Sequence, residues 1–301
     1  MTADRSSRTG SSTSPTTPSL ASPPSPPGSS ASGSSGSRLL SRRALQDLAL
    51  RHDIRPSKAL GQHFLADPNL ARAIARDAGA APGERFVEIG AGLGSLTLAL
   101  AESGAEVLAL ELDRRLLSAL GEVTAGEEHV RVVREDATRA VWSEVLGAGS
   151  WRMASNLPYN VAVPVVLDLL EHAPGIDPMV IMVQREVGER LAARPGEAAF
   201  GAVSLKVAYR AEARVTRRIP RQVFWPEPKV ESVLVRLERR PPSVDVPERA
   251  LFALVEEGFA QRRKTMANAL ARLGHPRERG AAALRAAGLD ERVRAEELGL
   301  E

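Results

Sequence analysis

The alternation of short apolar runs with helix-like segments constrains this chain more than any other feature. The predicted strands span residues 85–89, 107–111, 130–133, 152–155 and 179–183. The segment at residues 93–102 and another beginning at Asp113 predict helices between these strands. Repeated strand–helix units of this length predict a parallel sheet with helices on both faces, so the expected fold class is α/β.

The two ends of the chain differ from this central region. Residues 1–37 consist almost entirely of Ser, Thr, Pro, Gly and Ala, which bury too little apolar surface to offset the entropy of folding. We expect a disordered extension there. Residues 38–242 predict the α/β domain, with a late antiparallel strand at 230–237 before Pro241 and Pro242. Residues 243–301 show only helical patterns and predict a small helical domain.

Composition excludes several classes of protein. The chain has no cysteine and five scattered histidines, so we expect no disulfide and no metal centre. The sequence contains no run of eighteen apolar residues, so we expect no membrane-spanning helix. The net charge is only +3. A local basic surface for a polyanion and an ordinary solvated Arg-rich surface both fit that value.

Polar residues follow the first three predicted strands where each strand ends. Glycines at 90, 92 and 94 form a G-x-G-x-G turn, which differs from the G-x-G-x-x-G spacing of dinucleotide sites. Glu111 closes the second strand and can accept ribose hydroxyls, and Asp136 closes the third and can accept from an adenine amine. Each feature alone also fits a tight turn, a helix cap or a loop acid. Together they indicate a nucleoside site without a phosphate pocket, as S-adenosylmethionine requires.

The fourth strand runs into Asn156, Leu157, Pro158 and Tyr159. An adenine N6 amine is a poor nucleophile, because its lone pair is delocalised into the ring. Acceptors from the Asn156 side chain and from a carbonyl beside Pro158 can localise that lone pair, and Tyr159 can stack on a base splayed out of its helix. A second stacking face is Phe224, in a proline-rich loop. A plain Asn-Pro turn with a core tyrosine, and a core role for Phe224, are the alternatives.

Seven short sequence motifs are specific enough to point to a protein family. They are residues 60–65 (LGQHFL), 88–94 (EIGAGLG), 156–159 (NLPY), 184–191 (QREVGERL), 200–204 (FGAVS), 224–232 (FWPEPKVES) and 258–265 (GFAQRRKT). Over about residues 59–271, the sequence resembles the KsgA-type family of small-subunit ribosomal RNA adenine dimethyltransferases. The resemblance implies a Rossmann-like class I methyltransferase sheet with a small C-terminal helical domain. It also implies transfer of four methyl groups to two adjacent adenosines near the 3′ end of 16S rRNA.

The resemblance also implies roles for individual residues. The cofactor contacts would be His63, Leu65, Gly90, Gly92, Glu111, Asp136 and Asn156. His63 stands where the family more often has asparagine, so a backbone contact would survive this change and a side-chain amide contact would not. The catalytic residues would be Asn156, Leu157, Pro158, Tyr159 and Phe224. The basic residues expected to contact RNA are Arg217, Arg218, Arg221, Arg262, Arg263 and Lys264, the last three on a predicted helix.

The resulting hypothesis is a cytoplasmic, monomeric enzyme acting on 16S rRNA in the small subunit or its precursor. An Erm-type 23S rRNA methyltransferase shares the site, but residues 192–201 and 261–265 look like the small-subunit enzymes. A non-catalytic assembly factor, or a mitochondrial transcription factor of the same ancestry, is disfavoured by the intact 156–159 turn. The glycine spacing and the turn both disfavour a nicotinamide oxidoreductase.

Overall fold

The computed structural model describes residues 39–57, 61–242, 244–261 and 263–300. The predicted extension at 1–37 therefore lies outside the described residues. The strands are β1 (Phe64–Leu65), β2 (Arg85–Ile89), β3 (Glu106–Glu111), β4 (Val130–Arg134), β5 (Trp151–Asn156), β6 (Ile176–Gln184), β7 (Ala211–Ile219), β8 (Phe224–Trp225) and β9 (Ser232–Arg239). The helices are α1 (Arg42–Arg51), α2 (Pro68–Ala78), α3 (Ser95–Glu102), α4 (Arg114–Thr124), α5 (Trp142–Leu146), α6 (Ala162–His172), α7 (Arg185–Ala192), α8 (Ala202–Arg210), α9 (Glu248–Ala260), α10 (Met266–Arg272) and α11 (Arg277–Ala286).

Seven strands form the main sheet, in the order β4-β3-β2-β5-β6-β9-β7. Strands β2 to β6 are parallel, and β9 pairs antiparallel with both β6 and β7. Successive residues of one strand enter cores on opposite faces of the sheet. Phe86 packs in one core, whereas Val87 and Ile89 pack in the other. Burial on both faces explains why these strands are continuous apolar runs, and the predicted α/β class is confirmed.

The predicted central elements are present, with shifted ends. Residues 85–89 form a strand as predicted, and the predicted strand at 179–183 extends to Ile176–Gln184. Helix α3 begins at Ser95 and not at residue 93, because Gly94 has a left-handed φ of 88° and serves as the N-cap. Helix α4 begins after Asp113, whose side chain accepts from the Arg115 backbone N–H.

The late antiparallel strand is present as Ser232–Arg239, but it does not close the sheet. An unpredicted strand, β7, lies outside it at the edge. Most of β7 is exposed, and a bulge at Thr216 shifts its register against β9. Its sequence therefore lacks the two-residue apolar alternation by which a half-buried strand is recognised.

A second, two-stranded sheet was also missed by the sequence patterns. It pairs β1 with β8 antiparallel, with Phe64 opposite Trp225 and Leu65 opposite Phe224. From α1, the Arg42 guanidinium donates to the carbonyls of Gln222 at 2.5 Å and Phe224 at 2.8 Å. The strand pairing joins segments about 160 residues apart, and the two Arg42 contacts span 180 and 182 residues, which no local pattern reveals.

The helices after residue 247 build a small core of their own around Met266, Leu284 and Val293. Phe200 and Val255 belong to a separate cluster that joins these helices to the sheet region. The described chain after residue 38 forms one compact unit, so a domain boundary near 242 stays a proposal. No helix among the described residues has the length and apolarity to cross a membrane.

Candidate active site

A cavity of about 340 Å³ opens at the carboxyl ends of β2, β3 and β5, where open parallel sheets bind their ligands. Its walls include all of the predicted catalytic and cofactor residues except Asp136 and Phe224. One wall is formed at the carboxyl ends of these strands, by residues 88, 90–93, 95, 111–113 and 156–159, and we call it the sheet wall. The opposite wall is residues 61–65, which we call the strap. The volume suits a small-molecule ligand.

The glycine turn allows the walls to meet closely. Gly90 has a φ of 71°, and a Cβ atom there would lie 3.2 Å from the Pro158 side chain. Gly92 has a φ of 61°, and a Cβ atom would lie 3.1 Å from the Phe64 ring of the strap. The left-handed backbone and the close neighbours explain why both positions are glycine.

Glu111 ends β3 and is 8% exposed. One oxygen, Oε1, accepts from the backbone N–H groups of Leu112 and Asp113, and Oε2 accepts from Gly92 at 2.9 Å. Burial raises the pKa of this carboxyl above its usual range, although these hydrogen bonds oppose the shift. A carboxylate has about four acceptor sites, so Oε2 keeps one for a ligand hydroxyl.

Asp136 is not among the residues that line the cavity, and its expected cofactor contact stays a prediction. Its Oδ1 accepts from the backbone N–H and the hydroxyl of Thr138, and these bonds hold the pKa of Asp136 below its usual range. The carboxylate thus caps the turn after β4. The third carboxylate at the cavity is Asp113, which hydrogen-bonds to Gln62 of the strap and to Arg115.

Besides Asp113, two polar groups in the sheet wall were not predicted as site residues. Glu88 is 2% exposed and accepts from the Thr97 hydroxyl at 2.5 Å; burial raises its pKa to about 8. The buried Ser95 hydroxyl has no hydrogen-bond partner among the described residues. Glu88 stands directly before the glycine turn, a position that could have drawn attention to it. A buried hydroxyl without a partner and several carboxyl groups suit a polar ligand that carries positive charge.

Asn156 is held in one orientation at the end of β5. Its Nδ2 donates to the backbone carbonyl of His63 at 2.9 Å. A carbonyl can only accept, so this bond fixes the amide and leaves Oδ1 without a partner among the described residues. The Pro158 carbonyl accepts from the Val161 N–H at 3.2 Å. Leu157 carries the neighbouring carbonyl, which accepts no hydrogen bond from a described residue.

The aromatic residues differ in accessibility. Tyr159 lines the cavity, stacks on His63 with ring centroids 5.3 Å apart, and hydrogen-bonds Ser232 through its hydroxyl at 3.0 Å. Phe224 is 0% exposed and packs in the core on one face of the sheet. Its ring has no exposed face in this structure, and the expected stacking role stays a prediction. Its place in β8, against β1, explains this burial.

The basic residues that we expect to contact RNA differ in whether they form ion pairs and in where they lie. Arg217 pairs with Asp77 at 2.7 Å, and Arg221 lies 3.7 Å from Glu227. Arg218 has no ion pair among the described residues. Arg263 and Lys264 are exposed and lie in the turn between α9 and α10, not on a helix as predicted; Arg262 lies outside the described residues. The backbone bond from Lys264 N to Gln261 O closes this turn.

An open, mostly parallel sheet with a G-x-G-x-G turn and an acid at the end of the next strand defines a class I methyltransferase, whose cofactor is S-adenosylmethionine. The family model for ribosomal RNA adenine dimethylase matches residues 54–300. The chain is 46% identical over 270 residues to ribosomal RNA small subunit methyltransferase A of Thermobifida fusca, covering 88% of this chain and 93% of that protein. The chain belongs to the ribosomal RNA adenine dimethylase family.

Solved structures agree with this fold. A dimethyladenosine transferase from Plasmodium falciparum has a TM-score of 0.67, with 23% identity over 79% of this chain and 94% of that one. The 23S rRNA methyltransferase ErmE has a TM-score of 0.60, with 28% identity over 78% of this chain and 96% of that one. The likeness to the first supports the fold alone. The second keeps the Erm-type alternative open to experiment.

Proposed function

We propose that this protein transfers methyl groups from S-adenosylmethionine to N6 of two adjacent adenosines in the 3′-terminal hairpin of 16S rRNA. It acts in the cytoplasm, as a monomer, on the small subunit or its precursor, and leaves N6,N6-dimethyladenosines. The name of the Thermobifida fusca relative supports a small-subunit substrate. The single observation that carries the chemistry is the fixed Asn156 amide, which presents a free acceptor oxygen at the cavity.

The cofactor supplies an electrophilic methyl group on a sulfonium. Within the cavity, Glu111 would accept one ribose hydroxyl on its remaining Oε2 site. The carboxyl groups of Glu88 and Asp113 and the unpartnered Ser95 hydroxyl would face the polar, cationic end of the ligand. These groups would bind and orient the cofactor, and none of them needs to form or break a covalent bond.

The acceptor side of the site orients the adenine. Asn156 Oδ1 and the Leu157 carbonyl would each accept one N6–H, which localises the nitrogen lone pair. That lone pair would form the new N–C bond as the C–S bond to the cofactor's sulfur breaks, and the N6 proton would leave to solvent. Catalysis then rests on orientation and electrostatics. Tyr159 would stack on the base with the face that His63 leaves uncovered.

Basic residues would position the RNA. Arg218, Arg263 and Lys264 are the strongest candidates in the described chain, because no carboxylate pairs with them. Arg262 stays in the proposal because it belongs to the same basic segment of the sequence. Changing Arg262, Arg263 and Lys264 together to Ala should flatten the salt dependence of binding to precursor subunits. We expect the slope to fall by about two to three. An unchanged slope would remove this turn from the RNA surface.

The decisive experiment uses labelled cofactor and ribosomes that lack the modification. Purified 30S and 50S subunits would be incubated separately with the protein, and the methylated nucleotides would be mapped. Dimethylation of two adjacent adenosines in 16S rRNA supports the proposal. Label in 23S rRNA would instead identify an Erm-type enzyme, and no label with retained 30S binding would identify a non-catalytic assembly factor.

A further inference from the structure

His63 touches two segments from distant parts of the chain, and one of them, which carries Tyr159, lines the cavity. Its Nδ1 lies 2.7 Å from the Pro226 carbonyl oxygen, and it must be the donor because a carbonyl only accepts. Its ring stacks on Tyr159, with centroids 5.3 Å apart and planes inclined by 28°. The hydrogen bond to Pro226 therefore holds one edge of the imidazole, while the imidazole ring covers one face of the Tyr159 ring.

The phenol of Tyr159 needs such a partner. Its hydroxyl bonds Ser232 Oγ at 3.0 Å, so the ring is anchored at its tip and at Cβ. These two anchors lie on the axis about which the ring rotates, and they leave the tilt of the ring plane free. A flat side chain stacked on one face restricts that tilt. Of the described aromatic side chains, His63 is the one whose ring stacks on Tyr159.

We propose that His63 is a positioning residue, whose ring fixes the plane of Tyr159 for stacking on the methyl-accepting base. The inference rests on the proposed function, because it assumes that Tyr159 stacks on a nucleobase. The Asn156 amide bonds the backbone carbonyl of His63 and not its ring. A change of the His63 side chain therefore leaves the acceptor amide in place and separates base positioning from cofactor binding.

The kinetic test compares His63→Ala, His63→Phe and His63→Asn with the wild-type enzyme on 30S subunits. His63→Ala and His63→Asn lose the stacked ring and should lower kcat/KM for the subunit by about tenfold, the worth of an aromatic pair. The cofactor Kd should change by less than about twofold, since the backbone carbonyl remains. His63→Phe keeps a flat ring without the Pro226 bond and should restore most of the activity. His129→Ala, at the opposite end of the sheet and exposed, is the matched control.

Several results would overturn the proposal. Full activity in His63→Ala would show that the ring is dispensable. Equal losses in His63→Phe and His63→Ala would assign the effect to the Pro226 bond. A cofactor Kd that rises in step with the loss of kcat/KM would make His63 part of the cofactor wall only. If His63→Ala does not fold, the comparison of His63→Phe with His63→Asn decides the same question.

A spectroscopic test is independent of activity. The chain has two tyrosines, so 3-fluorotyrosine labelling gives two ¹⁹F resonances, assigned with Tyr159→Phe. We expect His63→Ala to shift and broaden the Tyr159 resonance and to leave that of Tyr209 unchanged, while His63→Phe keeps it sharp. An unmoved Tyr159 resonance in His63→Ala would end the positioning role. If the wild-type enzyme methylates no 16S rRNA, the proposed function fails, and this measurement still reports whether His63 orients Tyr159.

Discussion

The two walls of the cavity are built in different ways. The sheet wall continues directly from buried strands, so Glu88, Glu111 and Asn156 are placed by backbone hydrogen bonds within a packed core. The strap is five residues long, and its regular secondary structure is the two-residue strand β1. Its position depends on side-chain contacts with Asp113, Tyr159 and Pro226. The difference suggests that the sheet wall fixes the chemistry, while the strap controls how well the ligands are held.

The largest expected effect lies in the sheet wall, at Asn156. Asn156→Ala removes the acceptor oxygen proposed for the N6 amine, and we expect kcat to fall by about 10²- to 10³-fold, as for loss of one preorganised polar group. RNA binding should stay largely intact. The measurement is single-turnover methyl transfer to 30S subunits together with a binding assay, with the exposed Asn69→Ala as control. Full methylation by Asn156→Ala would refute the assigned mechanism.

The second prediction concerns the protonation of Glu88, which the pH dependence of folding stability reports. Its pKa is raised from 4.5 to about 8 in the folded protein, so the folded state holds a proton that the unfolded state has released. The contribution of Glu88 to stability is therefore largest below about pH 4.5 and falls as pH rises toward 8, at up to about 1.4 kcal/mol per pH unit. Glu88→Gln should reduce this slope in urea unfolding measured between pH 5 and 8.5.

Part of the slope should survive in Glu88→Gln, because burial also raises the pKa of Glu111. Glu212→Gln changes an exposed carboxylate and should leave the slope as it is in the wild type. Identical slopes for wild type and Glu88→Gln would mean that Glu88 is ionised in the folded protein.

Gly92 is the point where the sheet wall meets the strap. In Gly92→Ala, a Cβ atom would lie 3.1 Å from the Phe64 ring on a backbone with a φ of 61°. We expect a loss of about 1–2 kcal/mol in stability from the left-handed strain and roughly tenfold weaker cofactor binding as Phe64 is displaced. Calorimetric titration measures the binding, and Gly121→Ala, a helical position with open space around it, serves as control. Unchanged binding would show that the strap adapts without cost to the ligand.

The two walls also differ in how far the sequence predicted them. Much of the sheet wall was predictable because its residues end or follow apolar strands, and parallel strands bring their carboxyl ends to one edge. Glu88, inside β2, and Ser95, the first residue of α3, were not predicted. Asp136 obeys the same rule, but it is not among the residues that line the cavity, and its Oδ1 accepts two hydrogen bonds from Thr138. The position of the strap was not predictable, because the pairing of Leu65 with Phe224 is set by tertiary packing. The same packing buries Phe224.

The smallest expected effect tests whether the strap depends on support from outside the cavity. Arg42 donates to the carbonyls of Gln222 and Phe224, and Phe224 pairs with Leu65 of the strap. Arg42→Ala removes both bonds from a partly exposed site, so we expect a stability loss of about 1 kcal/mol. Cofactor binding should weaken by about fivefold or less, with kcat nearly unchanged because Asn156 is untouched. Arg43→Ala, whose contact is a longer one to Asp47, is the control for thermal unfolding and titration. A drop in kcat as large as that of Asn156→Ala would contradict the division of labour between the two walls, because the strap would then set the chemistry as well as the fit.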